Sequence, residues 1–202
     1  MKKGTELELK LGVPNKETLD LIATDAVFGG KKPVELLLSA EYYDYADGRL
    51  EKEKASLRFR RENGAGKVTL KSGGKSSDGV FSRTEWEVSA GNISEGISAL
   101  LREGASDILG DGREAPVVQT RSEFVRREFN VSFEGAELCM AFDCGWLGGE
   151  DNRFCELEAE LVCGDPKALE LLGEYLCKKY SLIYLHSSKR ARCEEYRLSH
   201  KG

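Results

Sequence analysis

The chain has 202 residues, of which 40% are hydrophobic and 32% are charged, and its formal net charge is −5. These proportions predict a globular protein with a substantial core, and no apolar run approaches the roughly 20 residues of a membrane-spanning helix. The negative net charge gives no general attraction to nucleic acid or to an anionic membrane, so we expect neither as a partner.

The N-terminal segment alternates between charged and apolar residues, which is typical of a strand with one buried face. The alternation separates apolar Leu7, Leu9 and Leu11 from charged Glu6, Glu8 and Lys10. Residues 1–10 lack the apolar region of a signal peptide, and we therefore expect a cytoplasmic protein.

Three segments depart from the alternation and predict helices. Asn15 is a favourable N-cap for a helix whose apolar stripe begins at Leu19. Ser94 predicts the cap of a shorter helix, and Asp165 followed by Pro166 is typical of the start of a third.

Further alternation predicts strands at residues 57–61, 67–71, 83–88, 124–133, 138–143 and 156–161, and Gly-rich segments predict loops at 63–66, 72–79 and 145–152. The order of elements predicts the α+β class. No linker divides the chain, so residues 1–202 are expected to form a single domain.

The six cysteines form no C-x-x-C pair, which argues against a zinc site. We expect reduced thiols, as is usual for a cytosolic protein.

The polar strand faces carry charges of one sign at a time. Acidic pairs occur at Glu6 and Glu8 and at Glu85 and Glu87, with Glu156, Glu158 and Glu160 as a longer run, whereas basic pairs occur at Arg58 and Arg60 and at Lys67 and Lys71. Like charges on one face repel, so this arrangement needs an explanation. Either acidic strands lie beside basic strands on a solvated surface, or the sheet curls so that the charged face lines an interior that binds ions.

Several motifs, in order, carry a family resemblance. They are Glu6-Leu7-Glu8-Leu9-Lys10, Glu41-Tyr42-Tyr43-Asp44, Ser56-Leu57-Arg58-Phe59-Arg60-Arg61, Thr69-Leu70-Lys71, Arg83-Thr84-Glu85-Trp86-Glu87, Phe142-Asp143-Cys144-Gly145, Glu156-Leu157-Glu158-Ala159-Glu160-Leu161 and Ser188-Lys189-Arg190-Ala191-Arg192. With these motifs the chain resembles the CYTH, or triphosphate tunnel metalloenzyme, superfamily over about residues 5–198. It is most similar to the bacterial inorganic triphosphatase branch.

The resemblance implies a closed eight-stranded antiparallel β-barrel, or tunnel, with a polar lumen and helices packed outside. It implies hydrolysis of inorganic triphosphate to diphosphate and phosphate with Mg²⁺ or Mn²⁺, by a monomer or weak homodimer.

The resemblance also implies roles for individual residues. The implied metal ligands are Glu6, Glu8, Asp143, Glu158 and Glu160, with Glu85, Glu87 and Glu156 as a supporting acidic wall. The implied phosphate-binding residues are Lys10, Arg58, Arg60, Lys71, Arg126, Lys189 and Arg192. Of all these, Glu6, Glu8, Lys10 and Lys189 are expected to be catalytic, with Lys189 in a C-terminal tail that closes over the tunnel.

Two other functions remain open. An organic triphosphate enzyme, either a thiamine triphosphatase or a class IV adenylate cyclase, needs a site for the organic group, which Tyr45 or Trp146 could supply at the tunnel mouth. A non-catalytic polyphosphate-binding module needs only the basic residues, and the many carboxylates argue against it.

Overall fold

The computed structural model describes the backbone of residues 2–77 and 80–200, and the side chains of residues 6–73 and 84–200. Its strands are β1 (Lys2–Val13), β2 (Val34–Asp44), β3 (Ser56–Glu62), β4 (Ala65–Ser77), β5 (Val80–Ser89), β6 (Val117–Phe133), β7 (Ala136–Leu147), β8 (Arg153–Cys163) and β9 (Ile183–Tyr184). They form one antiparallel sheet in the order β5-β4-β3-β2-β6-β7-β8-β1-β9.

Strand β1 connects distant parts of this sheet. Residues 8–13 pair with β8, and residues 2–9 pair with β5, the strand at the far end of the order. The sheet is therefore strongly curled, with one face turned inward. The prediction of a closed eight-stranded barrel is confirmed only in part. The sheet is curled and antiparallel, but the described residues form nine strands, the last being the two-residue strand β9 beside β1.

The helices are α1 (Lys16–Ala23), α2 (Arg49–Lys52), α3 (Ile93–Arg102), α4 (Ser106–Leu109), α5 (Lys167–Tyr180) and α6 (Lys189–Ser199), with a 3-10 turn at Ala26–Phe28. Asn15 caps α1 as predicted, since its side chain accepts a hydrogen bond of 2.8 Å from the Thr18 amide. The predicted Ser94 cap of α3 is wrong. Asn92 is the cap and accepts from the Glu95 amide, while the Glu95 carboxylate accepts from the Gly91 amide.

Two apolar clusters cover the outer face of the sheet. The first joins β1, β6, β7 and β8 to α1 and α5, and the second joins β3, β4 and β5 to α2, α3 and α4. The predicted apolar face of Leu7, Leu57, Val68, Trp86, Leu138 and Leu157 is confirmed as part of these clusters. Helix α3 lies so close to β4 that a Cβ at Gly96 would stand 2.2 Å from Cγ2 of Val68, which explains the glycine.

Two further predictions need correction. The C-terminal tail is the helix α6, which packs on β6 and β7. The loop predicted at residues 72–79 is mostly strand, because β4 continues to Ser77 through a bulge where Gly73 has a φ of 63°. Residues 78 and 79 of that predicted loop lie outside the described residues.

The prediction of reduced thiols is wrong for one pair. Cys144 and Cys155 are directly opposite each other on β7 and β8 and form a disulfide. Their pairing follows from the strand register, which the spacing of the cysteines does not reveal. Among the described residues, no helix is long and apolar enough to cross a membrane.

Candidate functional site: a charged cavity inside the curled sheet

The inward face of the sheet encloses a cavity of about 420 Å³. Its described lining includes eight carboxylates and eight Lys or Arg side chains, so the two signs of charge are balanced. The predicted site residues that line it are Glu6, Glu8, Lys10, Arg58, Arg60, Lys71, Glu85, Glu87, Arg126, Glu158, Glu160 and Lys189. The charged strand faces therefore turn inward, as the second interpretation of the sequence predicts.

Three predicted residues lie behind this lining. Asp143 and Glu156 are fully buried and contact side chains that line the cavity. Arg192 is ion-paired with Glu156. These residues are thus connected to the cavity through other side chains.

Strand β3 supplies two neighbouring guanidinium groups, Arg58 and Arg60, which we call the arginine pair. Arg58 donates from Nη2 to Oγ1 of Thr69 at 3.3 Å. Arg60 contacts Glu62 and, at 3.9 Å, Glu87. The Nε atoms of both arginines are buried and make no hydrogen bond within the part of the chain that the structure describes.

The surroundings of Arg60 favour an anionic ligand. Burial, followed by the positive charges of Arg58 and Arg126, lowers the pKa of Arg60 to about 10. A buried donor without an acceptor is costly, and a neighbouring like charge adds to the cost. An anion bound between these groups would relieve both costs.

Strand β4 adds two lysines to the basic side of the cavity. Lys67 lies 2.7 Å from Glu62, and Lys71 contacts Glu6 and lies 3.6 Å from Glu85. Each ammonium group is therefore shared between strands. Neither Lys67 nor Glu62 was predicted as a site residue, although both follow the alternation of their strands.

Strands β1 and β8 place several carboxylates beside one another on one side of the cavity. Glu8 is directly opposite Glu160, and Lys10 is directly opposite Glu158. Lys10 connects the two strands, since its ammonium group contacts Glu158 on β8 and lies 3.0 Å from Glu8 on β1. Carboxylates that face each other across strands repel unless a cation lies between them.

Asp143, Glu156 and Glu158 form the deep acidic cluster, in which one oxygen of each lies within 4.8 Å of the others. Asp143 and Glu156 are opposite each other on β7 and β8, which brings them together. Arg126 donates two hydrogen bonds to Asp143, at 2.8 and 2.7 Å, and one of 2.6 Å to Glu158. This bidentate geometry fixes the guanidinium group tightly.

Lys189 binds the same cluster from the other side. It is the first residue of α6, whose N-cap Ser188 accepts from the Ala191 amide. Its Nζ lies 2.8 Å from Asp143 and 3.0 Å from Glu158, and it also contacts Glu156. The aromatic rings of Phe124 and Phe154 lie 5.2 and 5.7 Å from the same Nζ.

The ionisation of these groups follows from their pairing. Burial alone would lower the pKa of Lys189, but the charges of the deep acidic cluster raise it above its usual value. Burial alone would raise the pKa of Asp143 and of Glu158, but their cationic neighbours lower both. At neutral pH Lys189 is a cation and these two carboxylates are anions.

The acidic side chains fit a hard divalent cation. All the candidate ligands are carboxylate oxygens, the donors that Mg²⁺ and Mn²⁺ prefer. The opposed pair of Glu8 and Glu160 and the deep acidic cluster both bring carboxylate oxygens close together, and one oxygen from each member of the cluster lies within 4.8 Å of the others.

Two predicted aromatic contacts are absent from the described cavity lining. Tyr45 is buried in the second apolar cluster, where its hydroxyl donates to the carbonyl of Leu109 at 3.0 Å. Trp146 is opposite Arg153 on β8. The lining instead includes the aromatic residues Tyr42 and Phe124.

The comparisons with known proteins agree with this geometry. The model of the CYTH domain matches residues 4–193. The chain belongs to the CYTH family. A relative from Haemophilus influenzae, named an inorganic triphosphatase, is 30% identical over 190 residues, which are 93% of this chain and 53% of the relative. The chain thus spans about half the length of this curated relative.

Solved structures of two other proteins show a similar fold. A Hippeastrum protein, described as an adenylyl cyclase candidate with a dominant triphosphatase activity, superposes with a TM-score of 0.75 at 24% identity, covering 95% of this chain and 96% of that one. An adenylate cyclase candidate from Bacillus halodurans superposes with a TM-score of 0.62 at 18% identity, covering 95% and 98%.

Proposed function

We propose that this CYTH protein is a metal-dependent triphosphatase that hydrolyses inorganic triphosphate to diphosphate and phosphate. The observation that carries the proposal is the arginine pair, whose buried Nε donors find no acceptor among the described residues. Guanidinium groups bind phosphate oxygens through several donors at once. The Haemophilus influenzae relative, named an inorganic triphosphatase, supports the choice of substrate.

In this proposal the basic residues divide into two sets. Arg58, Arg60 and Lys71 bind the polyphosphate along β3 and β4. Lys10, Arg126, Lys189 and Arg192 belong to the opposite side, where they are ion-paired with the deep acidic cluster. A polyphosphate bound between these two sets has the negative charge of its oxygens neutralised from both sides. Neutralisation of that charge is the main requirement of phosphoryl transfer.

The carboxylates hold the cation. Glu6, Glu8, Asp143, Glu158 and Glu160 are the proposed metal ligands, with Glu85, Glu87 and Glu156 as supporting groups. A bound Mg²⁺ or Mn²⁺ would supply positive charge to the phosphate oxygens and would polarise a water molecule. Lys189 acts as a fixed positive charge rather than as a base, because its carboxylate partners keep it protonated.

The curled sheet supports a tunnel. Because β1 pairs with both β8 and β5, we propose that eight strands enclose the substrate and keep it from bulk water. Exclusion of water strengthens each charge interaction inside. The proposed reaction needs no covalent intermediate.

A comparison of substrates tests the proposal. Phosphate release from inorganic triphosphate, thiamine triphosphate and ATP is measured side by side with Mg²⁺ and with Mn²⁺. We expect the highest kcat/KM with inorganic triphosphate, because the described cavity lining is mainly charged and its aromatic residues Tyr42 and Phe124 are only 4% and 3% exposed, which leaves little aromatic surface for an organic group. A higher kcat/KM with either organic substrate would favour the organic triphosphate enzyme. Tight binding without turnover would favour the polyphosphate-binding module.

A further inference from the structure

Arg190, the second residue of α6, connects that helix to the opposite wall of the cavity. Its Nη1 donates to the carbonyl oxygen of Ala55 at 2.6 Å, and its Nη2 lies 3.4 Å from Oδ2 of Asp44. Asp44 ends β2, and Ala55 comes immediately before β3, the strand that carries Arg58. Arg190 therefore attaches the start of α6 to strands β2 and β3.

The acceptor Asp44 is itself firmly held. It is only 4% exposed, and its carboxylate accepts from the amides of Tyr45, Leu50 and Glu51 at 2.7, 3.0 and 3.1 Å. These hydrogen bonds do not involve Arg190. Asp44 is thus a rigid anchor with a predetermined position.

The neighbouring residue binds the other wall. Lys189 contacts the deep acidic cluster on β7 and β8, whereas Arg190 contacts the ends of β2 and β3. Two consecutive residues of one helical turn therefore join opposite walls of the cavity. Without Arg190, the carboxylates would hold the first turn of α6 from one side only.

We propose that Arg190 is a positioning residue, which fixes the first turn of α6 so that the ammonium group of Lys189 reaches both the deep acidic cluster and the bound phosphate. The proposal rests on the proposed function, because it assigns Lys189 a contact with substrate. Arg190 also borders the cavity, but both of its terminal nitrogens are engaged with Ala55 and Asp44, and for that reason we assign it a role through Lys189. A lysine lacks the planar fork that makes both contacts at once.

Three variants test this role. Arg190→Met removes the charge and the hydrogen bonds but keeps much of the side-chain volume, and Arg190→Lys keeps the charge. Arg197→Met is the matched control, because Arg197 lies on the same helix and pairs with Glu194 within that helix. The measurements are kcat and KM for inorganic triphosphate, the melting temperature, and the rate at which an amine-reactive reagent modifies Lys189, followed by peptide mass spectrometry.

We expect Arg190→Met to lower kcat about ten-fold, as when a charge-assisted contact to phosphate is weakened. KM should change less, and Lys189 should be modified several-fold faster than in the wild type. Arg190→Lys should fall between the wild type and Arg190→Met, and Arg197→Met should match the wild type. If Arg190→Met does not fold, Arg190→Lys alone decides the comparison.

Wild-type kcat and wild-type labelling of Lys189 in the Arg190 variants would overturn the proposal. Equal losses in Arg190→Met and Arg197→Met would also overturn it, since they would reflect a general weakening of α6. If the wild type does not hydrolyse triphosphate, the proposed function fails, and the labelling of Lys189 still decides whether Arg190 positions it.

Discussion

Replacing Arg58 by methionine should weaken the binding of triphosphate without weakening the folded protein. In the structure the guanidinium group makes one long hydrogen bond, 3.3 Å to Thr69, and its buried Nε makes none within the described residues. Its proposed partner is a phosphate oxygen. A charge-assisted hydrogen bond contributes about 1.5–3 kcal/mol, so Arg58→Met should lower kcat/KM for triphosphate by about ten-fold to a hundred-fold.

The same substitution should not weaken the ligand-free protein. A buried donor without an acceptor costs about 1–3 kcal/mol, and the methionine keeps most of the apolar packing. Removing the charge relieves repulsion with Arg60, whose pKa is lowered in part by Arg58, but it also loses the attraction of Glu85 and Glu87, which help to raise the pKa of Arg58 despite its burial. We expect these effects to offset one another, so that the free energy of unfolding changes by less than about 1 kcal/mol and the melting temperature by less than about 2–4 °C.

The assay combines steady-state phosphate release with thermal unfolding, each with and without triphosphate. Added triphosphate should stabilise the wild type more than Arg58→Met, because only binding to the native state raises the melting temperature. Arg121→Met is the control, since Arg121 is 61% exposed and pairs with Glu41 at 3.0 Å. Wild-type kcat/KM in Arg58→Met, or a loss of activity that follows a loss of folding, would refute the reasoning.

Three other changes have defined outcomes. Glu8→Gln removes one of two opposed carboxylates, so titration calorimetry should show Mn²⁺ affinity lowered by at least about ten-fold, and unchanged affinity would argue against Glu8 as a ligand. Burial alone would raise the pKa of Asp25, but hydrogen bonds from the Tyr180 hydroxyl and other donors lower it to about 2. The ionised carboxylate should therefore contribute about 2 kcal/mol to the free energy of unfolding at neutral pH. Because its folded pKa is depressed, urea titrations of wild type and Asp25→Asn should differ above about pH 4 and converge towards about pH 2, and a difference independent of pH would contradict this. Replacing Cys144 and Cys155 by serine should cost about 3 kcal/mol of stability, and equal melting temperatures would contradict a disulfide.

Much of the inward face was predictable from two-residue alternation. Because successive strand residues point to opposite faces, Glu6, Glu8 and Lys10 had to share one face, as did Arg58 and Arg60. The alternation alone left open whether that face lines an interior, which the structure and the family membership resolve.

Other features depend on contacts that local patterns do not encode. Helix α6 is highly charged, and only Lys189 and Cys193 are buried in it. Its sequence therefore has no apolar stripe from which a helix could be predicted. Arg190 lies outside the alternating strand segments, and its acceptors Asp44 and Ala55 are far from it in the sequence. The position of Glu156 within the deep acidic cluster likewise follows from the register of β7 and β8.

Phosphorus NMR of a reaction with inorganic triphosphate and Mg²⁺ or Mn²⁺ tests the central claim most directly, because it identifies each product. The proposed hydrolysis predicts that triphosphate disappears while phosphate and diphosphate accumulate in equal amounts, and that omission of the metal stops the reaction. Glu8→Gln should show no product on the same time scale. Unchanged triphosphate in the wild-type reaction, or product formation that does not require a divalent metal, would contradict the account.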